Sequence, residues 1–131
     1  MISATGEPAV TARVVADAEA AGVWVNAADD PARCSVLLPA VLRRGPVTVA
    51  VATDGASPAL ASWLRDRLGG LVGSEAGTTA TLLAEARAAL HRRGRSTERT
   101  GFRAALDAGL VEAVRAGRVD EARRLIDEAI A

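Results

Sequence analysis

The opening stretch of the chain limits the fold more than any other part. Met1–Thr5 reads as the end of a buried strand. Gly6-Glu7-Pro8 turns out of it, and Pro8 suits the first turn of a helix, where its missing N–H has no partner to lose. Val10, Val14, Val15 and Ala18 then recur at helical spacing through Ala21, and Gly22 is placed as the helix stop. Val23-Trp24-Val25 follows, a continuous apolar run of the kind buried on both faces of a parallel sheet. Strand, helix and strand in this order imply a right-handed parallel crossover. Two parallel strands alone leave faces and edges without cover. The expected architecture is therefore α/β: a Rossmann-like βαβ stub, shortened at its N-terminus.

Composition narrows the rest. The 131 residues are 50% apolar and 24% charged, a globular balance that suits one domain or two small ones. Aromatics reach only 2%, namely Trp24, Trp63 and Phe102, so the core must be built from Ala, Val and Leu. The two tryptophans are expected as core or interface anchors. Sixteen basic residues balance sixteen acidic ones, which argues against nucleic acid or an acidic membrane surface as partner. All the basic residues are arginine, so lysine Schiff-base chemistry is excluded. A single cysteine, Cys34, rules out an internal disulfide and a cysteine-cluster metal site. It is expected as a small buried hydrophobe in a reduced, cytoplasmic protein. His91 is the only histidine and reads as a surface residue, so no metal site is predicted. No apolar run approaches the ~20 residues of a membrane helix, and no secretory signal is visible at the start.

Asn26-Ala27-Ala28-Asp29-Asp30-Pro31 is a polar stop at the carboxyl end of the second strand, the edge where open α/β sheets bind ligands. Val36–Leu42 and Val47–Thr53 are β-prone runs, with Arg43-Arg44-Gly45-Pro46 as the turn between them. Pro39 favours an edge strand or a bulge in the first run. Ser57 is a natural N-cap for a helix over Ala59–Leu68, and Pro58 fits its first position. Gly69-Gly70 is expected to end that helix, and Gly73–Gly77 to form a loose joint. Helical patterns then cover Thr78–Arg93, Gly101–Ala108, Leu110–Ala116 and Val119–Ile130. The predicted division is 1–38 as the end of a nucleotide-binding domain, 39–70 as a β-hairpin dimerisation and ligand region, and 71–131 as a helical cap.

Four segments in order now carry a resemblance: Ile2-Ser3-Ala4-Thr5, Val25-Asn26-Ala27-Ala28-Asp29-Asp30-Pro31, Leu38–Val51, and Asp54-Gly55-Ala56-Ser57-Pro58-Ala59-Leu60. Together they resemble the sirohaem synthase N-terminal family, specifically so over Met1–Leu68. That family implies NAD-dependent oxidation of precorrin-2 to sirohydrochlorin in a homodimer. In some members sirohydrochlorin ferrochelatase activity follows, with ferrous iron as substrate. The family's catalytic aspartate falls on Asp29. Hydride removal from a reduced macrocycle must be accompanied by proton loss, and a carboxylate at the sheet edge can take that proton. The competing local reading has Asp29 or Asp30 merely capping the turn before Pro31.

The resemblance also implies that Ser3, Ala4 and Thr5 border the nicotinamide side of NAD. It places Asn26, Thr53, Gly55 and Ser57 around the tetrapyrrole. Arg43 and Arg44 join the substrate set because guanidinium forks pair the carboxylates that fringe precorrin-2. Their plainer reading is a solvated turn. The hairpin is expected at the two-fold interface. One family feature is missing from this sequence: the glycine-rich G-x-G-x-x-A/G turn that brings a pyrophosphate to a helix N-terminus. The expectation is thus a dehydrogenase chain lacking its N-terminal part, with poor NAD binding by itself. A non-catalytic dimerising, tetrapyrrole-binding module is the alternative.

Overall fold

The computed structural model describes residues 1–28, 30–96 and 101–131. It is an α/β fold with two small sheets and several helices, and it divides into two compact units. The first comprises Met1–Val41 with Ala50–Asp66, and the second Leu42–Val49 with Arg67–Ala131.

In the first unit, β1 (Ile2–Ser3) and β2 (Asn26–Ala27) pair in parallel, Ile2 opposite Asn26 and Ser3 opposite Ala27. Helix α1 (Pro8–Ala20) connects them, with Pro8 in its first turn as expected. Gly22, with φ of 64°, makes the turn after it, a conformation that only glycine adopts freely. The second strand lies later than the apolar run predicted. Its backbone alternates sides: Asn26 N–H donates to Met1 O at 2.9 Å and Ala28 N–H to Ser3 O at 2.8 Å, while Val25 pairs the other way. Val25 N–H donates to Ser35 Oγ at 2.7 Å, and its carbonyl accepts from Ser35 N–H at 2.9 Å. Burial follows this split. Val25 is 1% exposed, but Trp24 is 74% exposed, so the run is not buried on both faces. Trp63 is 56% exposed, and neither tryptophan is a core residue in this structure.

A single turn of 3₁₀ helix covers Pro31–Arg33. The hairpin is formed by β3 (Ala40–Arg44) and β4 (Val47–Val51) around Gly45-Pro46. Arg43 and Arg44 therefore belong to a strand rather than to the turn. Helix α2 (Pro58–Leu71) runs straight through Gly69-Gly70, where a stop was expected. Ser57 caps it: Leu60 N–H donates to Ser57 Oγ at 3.1 Å.

The second unit is mainly helical: α3 (Glu75–Arg92), α4 (Phe102–Asp107), α5 (Leu110–Arg115) and α6 (Val119–Ile130). Helix α3 begins three residues earlier than predicted and takes Gly77 into its first turn. Leu82, Ala105, Leu110, Ala113, Ala122 and Ile126 form its core, the small aliphatic packing that the lack of aromatics required. Gly101 makes a close approach possible, because a Cβ there would lie 2.0 Å from Ala129 O on α6. No described helix is long and apolar enough to cross a membrane.

Candidate functional site

Within the first unit, the carboxyl end of β2 faces the loop that leads into α2. Each wall has its own internal bracing. On the β2 side, Asn26 Nδ2 donates to Val36 O at 3.0 Å and to Cys34 Sγ at 3.6 Å. The Cys34 sulfur also accepts from Ala27 N–H at 3.1 Å, and its own hydrogen has Ala27 O at 3.3 Å and Asp30 O at 3.4 Å as acceptors. Cys34 is thus half-buried and hydrogen-bonded rather than a buried apolar filler. Asp30 does not cap the turn before Pro31; its Oδ2 pairs with Arg33 Nε at 3.1 Å.

On the loop side, Thr53 Oγ1 donates to Ser57 O and accepts from Ser57 N–H, both at 3.0 Å. Asp54 and Gly55 take positive φ, 51° and 77°, which closes the loop tightly. Gly55 packs so close to Pro31 that an added Cβ would sit 2.8 Å from the Pro31 Cβ. This contact holds the two walls together at one end.

Between them lies a cavity of about 340 Å³, within the range of small-molecule sites. Asn26, Ala27, Ala28, Pro31 and Cys34 line one side. Leu37, Leu38, Pro39 and Ala40 contribute the apolar floor, and Val51–Thr53, Gly55, Pro58, Ala61 and Ser62 the other side. A second depression of about 570 Å³ opens at the N-terminal end of α1, lined by Ala4, Thr5, Gly6, Pro8, Thr11, Ala28 and Asp30. Ala28 lines both.

The structure therefore brings Asn26, Thr53 and Gly55 into one cavity and places Ala4 and Thr5 at its neighbour. Asp29 lies outside the described residues; among the described residues, Ala28 is the one common to both cavities. Ser3 is buried, its hydroxyl 3.3 Å from Thr11 Oγ1, so it supports Thr11 from behind rather than lining the depression. Ser57 braces the loop and caps α2 but does not line the cavity. Arg43 and Arg44 lie in the second unit. Arg43 is exposed, whereas the Arg44 guanidinium is tied to Val72 O at 3.2 Å and Arg43 O at 3.2 Å. Sequence reasoning missed Ser62 as a lining residue. The spacing Pro58, Ala61, Ser62 on one helical face was the available signal. Among the described residues, no group of three or more His, Cys, Asp or Glu side chains is placed to hold a metal ion.

Comparison with known proteins supplies the context. Residues 1–40 match a family described as "Putative NAD(P)-binding", and residues 44–71 one described as "Sirohaem biosynthesis protein central". A siroheme synthase of Methylococcus capsulatus is 38% identical over 98% of this chain and 28% of its own length. That of Nitrosococcus oceani is 35% identical over 99% of this chain and 28% of its own, and that of Tolumonas auensis 42% identical over 65% and 18%. The chain thus spans less than a third of the length of these curated relatives. A solved structure described as "SirC, precorrin-2 dehydrogenase" matches with a TM-score of 0.68 and 24% identity, covering 98% of this chain and 61% of that one. This likeness establishes a shared α/β fold.

Proposed function

We propose a function from the premise that this chain is homologous, along its whole length, to the siroheme synthases: it takes part in siroheme biosynthesis, in the NAD-dependent oxidation of precorrin-2 to sirohydrochlorin. The observation that carries the reading is the cavity that Asn26, Ala27 and Ala28 share with Thr53 and Gly55. The tetrapyrrole would occupy this cavity, with Asn26 and the Thr53–Ser57 loop around it. Asp29 is the base that takes up the proton lost as the macrocycle is oxidised.

The depression beside it fits the nicotinamide end of NAD, because Ala4, Gly6 and Pro8 present little bulk and Thr5 and Thr11 offer hydroxyls. Bound there, NAD would accept the hydride. Ser3 holds Thr11 in place through their 3.3 Å contact, and Ala28 separates the two sites. Iron insertion by the same site, with ferrous iron as substrate, is an extension of this reading, with Asp29 as acceptor of displaced pyrrole protons. In this scheme residues 1–38 form the cofactor side, 39–70 the homodimer and tetrapyrrole region and 71–131 the cap, in a cytoplasmic protein.

The test supplies precorrin-2 and NAD to the chain and follows NADH and sirohydrochlorin. Turnover that Asp29→Ala abolishes supports the reading, and turnover that survives the substitution removes Asp29 from it. The alternative is a non-catalytic tetrapyrrole-binding module, whose pocket would be the same cavity. Saturable tetrapyrrole binding without NADH formation would select it.

A further inference from the structure

The cavity lining includes four polar side chains among the described residues, Asn26, Cys34, Thr53 and Ser62, and no charged one. Three of the four have their donors committed within the protein. Both Asn26 amide hydrogens have partners, Val36 O and Cys34 Sγ. The Cys34 thiol is directed at backbone carbonyls of the β2 corner. The Thr53 hydroxyl donates to Ser57 O. Ser62 Oγ, half-buried on the second turn of α2, has no hydrogen-bond partner among the described residues. The neighbouring α2 residues on this wall, Pro58 and Ala61, bring no side-chain donor at all.

A ligand with anionic rim groups must replace the water around each carboxylate that enters the cavity, and a buried carboxylate without a donor is costly. From this accounting we propose that Ser62 is the positioning residue for the tetrapyrrole, its hydroxyl donating to one rim carboxylate and so fixing how the macrocycle enters. The proposal rests on the tetrapyrrole reading above. It assigns to α2 a recognition role beyond carrying the capped loop.

The experiment titrates the full chain with sirohydrochlorin, and separately with its permethyl ester, for wild type, Ser62→Ala and Ser62→Thr. Alanine is a good helix former, so Ser62→Ala keeps α2 intact, which circular dichroism verifies. A hydrogen bond to a charged group implies that Ser62→Ala weakens sirohydrochlorin binding by about tenfold. Ser62→Thr, which retains the hydroxyl, should stay near wild type. The loss should shrink for the ester, a discrimination that a merely structural role would not produce. Wild-type affinity in Ser62→Ala overturns the Ser62 assignment and leaves the tetrapyrrole reading standing. A wild-type chain that binds no sirohydrochlorin overturns both.

Discussion

Ser57 shows how a single side chain can serve the site without touching a ligand. Its Oγ caps α2 at Leu60 N–H, while its backbone N–H and carbonyl are both held by Thr53 Oγ1. The loop therefore has two locks, one at each end. Replacing Ser57 by Ala removes the cap and should cost about 1 kcal/mol in chemical denaturation, the usual penalty for a lost N-cap. The Thr53 bracing uses Ser57 backbone atoms and should survive, so the loop should keep its shape. Thr53→Val should do the opposite, loosening the loop and the cavity wall while leaving the cap. Comparing ligand affinity in the two variants separates the contributions: an effect of Ser57→Ala on affinity as large as that of Thr53→Val would refute the division. Cap chemistry of this kind is local, and both Ser57 and Pro58 were legible in the sequence. The commitment of the Asn26 amide and the Cys34 thiol was not, because it depends on where residues four to ten positions away come to rest.

Packing in the second unit depends on glycine where α3 meets the hairpin tip. A Cβ on Gly77 would lie 2.6 Å from Arg44 O and 2.9 Å from Arg44 C, both backbone atoms that cannot swing aside. Gly77→Ala gains about 1 kcal/mol of helix propensity but meets overpacking of about 1–3 kcal/mol, so the net expectation is a lower denaturation midpoint. A raised midpoint would show that α3 and the hairpin tip separate easily. Sequence alone took this glycine as part of a loose joint; only the backbone of a distant strand shows why no side chain fits.

The same helix carries an electrostatic tie. Glu75 Oε1 meets Arg115 Nη2 at 2.7 Å, joining α3 to α5. The hydrogen bond from Arg115, helped by a backbone N–H, holds the Glu75 carboxyl below its ordinary value of 4.5. Since the folded state lowers this value, the stabilisation is fully present above pH 4.5 and disappears as pH falls through the depressed value. The difference in urea midpoint between wild type and Glu75→Gln should therefore be largest near neutrality and shrink in acid. A difference that grows on acidification would contradict the assignment.

At the scale of the whole molecule, exposed apolar side chains stand out. Ile2 in the two-stranded sheet, Trp24 ahead of β2, Leu38 before the hairpin, and Leu60 and Trp63 on α2 are all exposed. Such surface is unusual to leave in water, and the hairpin region is the proposed two-fold contact. Sedimentation at increasing protein concentration should show a monomer–dimer equilibrium; a monomer mass at every concentration refutes the dimer. The sequence by itself determined the succession of strand, helix, strand, hairpin and C-terminal helices. Those features are written in local terms: helical spacing, prolines at first turns, a cap, and glycines where φ is positive. Tertiary structure alone decided that β2 begins after Trp24, that α2 continues through Gly69-Gly70, and that Ser62 shares a cavity with Asn26. Each of these depends on which distant backbone or side chain takes up a hydrogen bond or fills a space, and no local pattern encodes that choice.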